Sequence, residues 1–151
     1  MDDRFHGSQK TKPLNILLVE DDDGDAKAVK RTFSKAKIAN PIYRAVDGIE
    51  ALAMLRGEAD SGPMPSPFIM LVDLNMPRMS GIELIEEIRA DPALKKNIIF
   101  VLTTSKNEED KAKSYNLNVA GYILKETAGQ SFLGLLDMVE TYWKLVEFPE
   151  Q

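Results

Sequence analysis

The strongest constraint on this chain is a series of short, nearly wholly apolar runs, each stopping abruptly at polar residues and each followed by a stretch with helical spacing. Leu14–Val19 is the first, and it ends in Glu20-Asp21-Asp22-Asp23. A branched run without polar alternation suits a strand covered on both faces. From Asp25 to Ser34 the residues Ala26, Val29 and Phe33 recur at helical steps, which predicts a helix laying one side on a sheet. Ala39–Val46 reads as a second strand, at an edge because Pro41 cannot donate a ladder hydrogen bond. Asp47-Gly48 opens a helix with Ile49, Leu52 and Ala53 inward, and the proline-rich Ser61–Pro67 must be an extended loop. Phe68–Val72 is the third strand and runs into Asp73. A helix over Gly81–Arg89 turns Ile82, Ile85 and Ile88 inward, Asn97–Leu102 is a fourth strand, Glu108–Tyr115 a charged helix and Ala120–Leu124 a fifth strand. A last helix, about Gln130 to Leu145, carries Phe132, Leu135, Leu136, Val139 and Trp143 on one side, with Leu133, Met138, Tyr142 and Leu145 around them.

Strands alternating with helices predict an α/β domain with a doubly wound, five-stranded parallel sheet, because parallel strands need crossover connections. With 151 residues, 44% of them hydrophobic, the chain holds one domain: a flexible tail over 1–13, a domain over 14–146 and a C-terminal extension over 147–151. There is no cysteine, and the single His6 lies in the tail, which excludes disulfides, thiolate metal sites and histidine-based triads. A net charge of −5 with no concentrated basic face argues against nucleic-acid binding. No apolar run approaches the roughly 18–20 residues of a membrane span and no secretory h-region is visible, so a cytoplasmic location is expected.

In doubly wound sheets the site lies beyond the carboxyl ends of the strands. The residues there are Glu20 to Asp23, Asp73, Thr103-Thr104-Ser105 and Lys125. Converging carboxylates repel one another, and a hard divalent cation with oxygen ligands, Mg²⁺ foremost, relieves that repulsion. A lysine and hydroxyls opposite the cation would cradle a phosphoryl group, towards which an aspartate can act as nucleophile. Each residue also has an ordinary reading. Asp22 or Asp23 can cap the next helix, Asp73 can form a turn before Leu74-Asn75-Met76-Pro77, Ser105 or Asn107 can cap a helix, and Lys125 can be a surface lysine. Their placement at one edge of one sheet is what sets them apart.

The segments Leu17–Asp22, Leu71–Pro77 with Ser80-Gly81, Val101–Thr104 and Gly121–Lys125 resemble the hallmark stretches of bacterial two-component response-regulator receiver domains, in the family's order and over about Leu14 to Tyr142. The resemblance implies a flavodoxin-like, CheY-like fold with strand order 2-1-3-4-5. It implies Asp73 as phosphoacceptor, with Asp21, Asp73 and the backbone carbonyl of Asn75 on Mg²⁺ and Glu20 acting mostly through water. Thr103 would turn its hydroxyl to the phosphoryl group, Thr104 would offer its backbone N–H, Lys125 would pair with the phosphate, and Tyr122 would be the aromatic switch. A core aromatic is the ordinary reading of Tyr122. The family's usual proline after the lysine is replaced by Glu126. A non-proline cis bond costs about 2.5–4 kcal/mol, so a trans bond is expected there.

The proline-rich insertion, Leu102–Asp110 and the Tyr142–Pro149 tail are similar to single-domain response regulators that partner phytochrome histidine kinases. That similarity implies a sensor histidine kinase, or a histidine phosphotransfer protein, as phosphoryl donor, and output by protein–protein contact. The surplus apolar surface of the last helix, with Phe148 beyond it, predicts a homodimer, or else a tail folded back on its own domain. Two other classes use similar residues. An aspartate-dependent phosphatase carries a second acid two residues after its nucleophile, where this chain has Asn75, and an unphosphorylated interaction module would keep the fold without the chemistry.

Overall fold

The computed structural model of the protein describes residues 14–35 and 40–125. The N-terminal tail, the helix expected over about Gln130 to Leu145, the 147–151 extension and the Lys125–Glu126 bond lie outside the described residues.

Five strands form one sheet: β1 (Asn15–Val19), β2 (Ile42–Ala45), β3 (Phe68–Val72), β4 (Ile99–Thr103) and β5 (Gly121–Leu124). Every pairing is parallel and the order is β2-β1-β3-β4-β5, as the resemblance implies. The described helices are α1 (Asp23–Lys35), α2 (Gly48–Leu55), α3 (Gly81–Ala90) and α4 (Glu108–Asn116). The unbroken apolar strands are explained by two core layers. Leu17, Val19, Met70, Val72 and Val101 pack with Leu52 and Met54 of α2 and with Leu84, Ile85 and Ile88 of α3. The alternate residues Ile16, Leu18, Ile69, Leu71 and Phe100 pack with Ala26 and Phe33 of α1. Successive strand side chains point to opposite faces, so a strand between helical layers must be apolar at every position.

Local chemistry sets where these elements begin. Asp22 accepts the backbone N–H of Asp25 at 2.7 Å, so α1 starts two residues before the apolar spacing suggests. Ser80 and Glu83 close a reciprocal capping box at the start of α3. Asn107, rather than Ser105, caps α4, accepting the N–H groups of Glu109 and Asp110. β2 lies at the edge as expected but is shorter than Ala39–Val46. Pro41 contributes only its carbonyl, which accepts from Ile16 N at 2.9 Å. The proline-rich loop is tied to β1 by Asn15, whose amide donates to the carbonyls of Pro65 and Pro67.

Two helices sit rotated from their expected faces. Ile49 is 48% exposed, and the buried set of α2 is Gly48, Ala51, Leu52 and Met54. The cause is the cap. Asp47 is itself buried, accepting from Glu50 N at 2.8 Å and from Arg78, which turns the Gly48 side of the helix inward against Met79. In α3, Leu84 joins Ile85 and Ile88 in the core, while Ile82 is half-buried. At the opposite end of the sheet, the guanidinium of Arg89 donates to the carbonyls of Leu117, Lys95, Asn97 and Asn118. No helix among the described residues is long and apolar enough to cross a membrane.

Candidate functional site

The carboxyl ends of β1 and β3 are adjacent and in register, with Val19 beside Val72, so each strand delivers its next residue to the same edge. Those residues are Glu20 and Asp73, both buried. Asp73 is fixed through its backbone, its N–H donating to Val19 O at 3.0 Å. One of its carboxylate oxygens, Oδ1, accepts Asn75 N at 3.3 Å. Glu20, Asp21 and Asp73 can each present an oxygen within 4.8 Å of the others.

Lys125 supplies the positive charge. Its Nζ lies 2.7 Å from Glu20 Oε1, 2.7 Å from Asp25 Oδ2 and 3.5 Å from Asp73 Oδ2. Burial works to lower the lysine pKa, but the bonds to Asp25 and Glu20 and the charge of Asp73 outweigh it and raise it, which keeps the ammonium charged. Glu20 shows the opposite balance. Burial, aided by the Asp73 charge, pushes its pKa up to about 7 against the lowering effect of Lys125. Its buried Oε1 has the Lys125 ammonium, 2.7 Å away, as its polar partner. Three carboxylates that can bring oxygens within 4.8 Å of one another, two of them buried, exceed what one ammonium offsets and form a donor set suited to a hard divalent cation.

Thr103, fully buried, ends β4 at the same edge. Its Oγ1 accepts Ser105 N at 3.2 Å, and the Ser105 carbonyl in turn accepts the hydroxyl of Tyr122 at 3.0 Å. Tyr122 is half-buried against the larger core layer, and burial raises its pKa. The ring packs on the core while its hydroxyl is committed to the loop after β4. Thr104 and Asn75 are exposed beside the site.

The response regulator receiver domain family matches residues 16–137 of this chain. The chain belongs to that family. This receiver is 33% identical over 135 residues to response regulator Rcp1 of Synechocystis sp., covering 89% of the chain and 92% of Rcp1. The crystal structure of the phosphorylated cyanobacterial phytochrome response regulator RcpA superimposes with a TM-score of 0.76 at 32% identity, covering 92% of this receiver and 100% of that chain. The Mn²⁺-bound form of Rcp1 gives 0.73 at 33% identity, covering 91% and 100%. The protein is thus a signalling receiver homologous to phytochrome response regulators rather than a conventional enzyme.

Three participants escaped the sequence reading. Asp25, half-exposed on α1, is a direct partner of Lys125, although it sits a hundred positions away along the chain. Arg44 of β2 donates to the carbonyls of Glu20 and Asp21 and to Asp23 Oδ1, bracing the acidic loop. Arg78, at a left-handed φ of 67°, ties the loop after Asp73 to Asp47. Only Asp25 carried a signal in the sequence: three residues after the cap Asp22, it occupies the third helical position.

Proposed function

We propose that Asp73 accepts a phosphoryl group from a phosphohistidine of a sensor histidine kinase, or of a histidine phosphotransfer protein. A carboxylate oxygen of Asp73 attacks phosphorus, the P–N bond breaks with its electron pair returning to the imidazole, and an aspartyl phosphate forms. The observation that carries this reading is the convergence of Lys125 Nζ on Glu20 and Asp73 at the edge where the three carboxylates meet. Mg²⁺ held by Asp21, Asp73, the Asn75 carbonyl and, through water, Glu20 would neutralise charge on the phosphoryl oxygens. Lys125 offsets charge from the other side, and the Thr104 N–H adds a donor. Thr103 accepts through its oxygen in this conformation, so its own proton remains to be donated to a phosphoryl oxygen. That donation pulls on Ser105, and through Ser105 on Tyr122, which couples the site to the α4–β5 surface.

The upstream kinase in this reading is of the phytochrome type, supported by the similarity to Rcp1 and RcpA. The domain spans 14–146 between a tail and a 147–151 extension, works in the cytoplasm, and signals by protein contact, including a homodimer formed through the last helix. Acetyl phosphate with Mg²⁺, followed by intact-mass measurement, tests the central step. A gain of one phosphoryl group that disappears in Asp73→Asn is expected. No gain in the native chain, or an equal gain in Asp73→Asn, would overturn it.

A further inference from the structure

Lys125 holds two carboxylates at 2.7 Å and the third, Asp73, only at 3.5 Å. The two close partners differ in what it costs to lose them. Glu20 is 1% exposed, so stripping its counter-ion leaves a buried charge that water cannot reach. The side chain of Asp25 is 47% exposed and would simply rehydrate.

How Asp25 comes to be free for this contact is visible in the first turn of α1. An acid at the third helical position commonly reaches back to the N–H of the capping residue. Here the Asp22 N–H is taken by Glu20 Oε2 at 3.2 Å, while Asp22 itself accepts Asp25 N. The Asp25 carboxylate is therefore left to extend across to β5 and take Lys125.

Resting on the reading of Asp73 as phosphoacceptor, we infer that Asp25 is a releasable counter-ion of Lys125, a positioning residue that draws the ammonium off Asp73 and so limits the stability of the phosphorylated state. An ammonium has three N–H donors, and a phosphoryl dianion competes for them with Asp25. The carboxylate also adds like charge near the incoming group. Removing it strengthens the phosphorylated form, the opposite of what a residue needed to build the site would show.

The test compares the native chain with Asp25→Asn, Asp73→Asn and Asp23→Asn. The last removes one charge from the same helical turn, from a side chain that pairs with Arg44 and not with Lys125. Beryllofluoride serves as phosphoryl mimic with Mg²⁺ present, and the loss of phosphoryl label is timed after acetyl phosphate treatment. Asp25→Asn is expected to bind beryllofluoride about twofold to fivefold more tightly and to lose label more slowly by a similar factor, while Asp23→Asn, which gives up the Arg44 contact instead, shows no gain. Without metal or phosphoryl donor, the side-chain ammonium resonance of Lys125 should shift in Asp25→Asn and not in Asp23→Asn. A native chain that takes label while Asp25→Asn binds equally or more weakly, or while Asp23→Asn shows the same gain, would sink the inference and leave the phosphoacceptor reading standing. A native chain that takes no label overturns both.

Discussion

Arg44 Nε donates to the carbonyl oxygen of Glu20 at 3.0 Å, so a side chain of the edge strand holds the backbone from which the acidic pair projects. The same guanidinium reaches Asp21 O at 3.2 Å and Asp23 Oδ1 at 2.7 Å. Partners of this kind fix ligands without touching the ion, and losing them commonly weakens metal binding by about 10–100-fold. Arg44→Ala should bind Mg²⁺ about tenfold more weakly with its thermal midpoint little changed, as a metal titration read by NMR would show. Equal affinities would mean that the loop holds its shape unaided.

Gly81 lies against the backbone of the phosphoacceptor. A Cβ there would meet the Asp73 carbonyl group and would stand 2.7 Å from Leu74 Cα, neither of which can swing aside. Gly81→Ala should cost about 1–3 kcal/mol of stability and slow labelling of Asp73, because relief of the overlap moves the end of β3. Thermal unfolding with acetyl phosphate labelling on the same sample checks both.

Asp47 gives the stability a pH dependence of its own. Burial tends to raise its pKa, but the Glu50 N–H and the Arg78 guanidinium together outweigh burial and hold it below the usual carboxylate value. A depressed folded-state pKa contributes stability above the unfolded value, near about pH 4, and that contribution is lost as pH falls through the folded value. Asp47→Asn keeps a capping oxygen and loses the ionised partner of Arg78. Its acid-unfolding curve, followed by circular dichroism, should therefore be flatter below about pH 4 than that of the native chain.

Arg89 binds four carbonyl groups at the end of the sheet away from the site. Arg89→Met keeps the apolar stem and removes every donor. A loss of about 2–4 kcal/mol in denaturant unfolding is expected, with the Asp73 labelling rate unchanged once the variant is folded. A labelling defect at full stability would contradict a purely structural role.

The sheet was legible because burial on both faces makes each strand apolar at every position, as in Leu14–Val19 and Phe68–Val72. The edge position of β2 followed from Pro41 for an equally local reason. Helix rotation was harder to read. The face through Ile49 was offset because the buried Asp47 cap and its bond from Arg78, not the apolar stripe, orient α2. At the site, the residues at the strand ends could be anticipated, since topology delivers them to one edge. Arg44 and Arg78 could not, and of Asp25 only the helical position showed, because their roles depend on side-chain reach between elements distant in sequence.

The bond from Lys125 back to Asp25 joins the beginning of the described chain to its last strand. The acids at the ends of β1 and β3 therefore meet their lysine only where β5 is paired with β4, so the charge balance of the pocket depends on the sheet being closed by that strand.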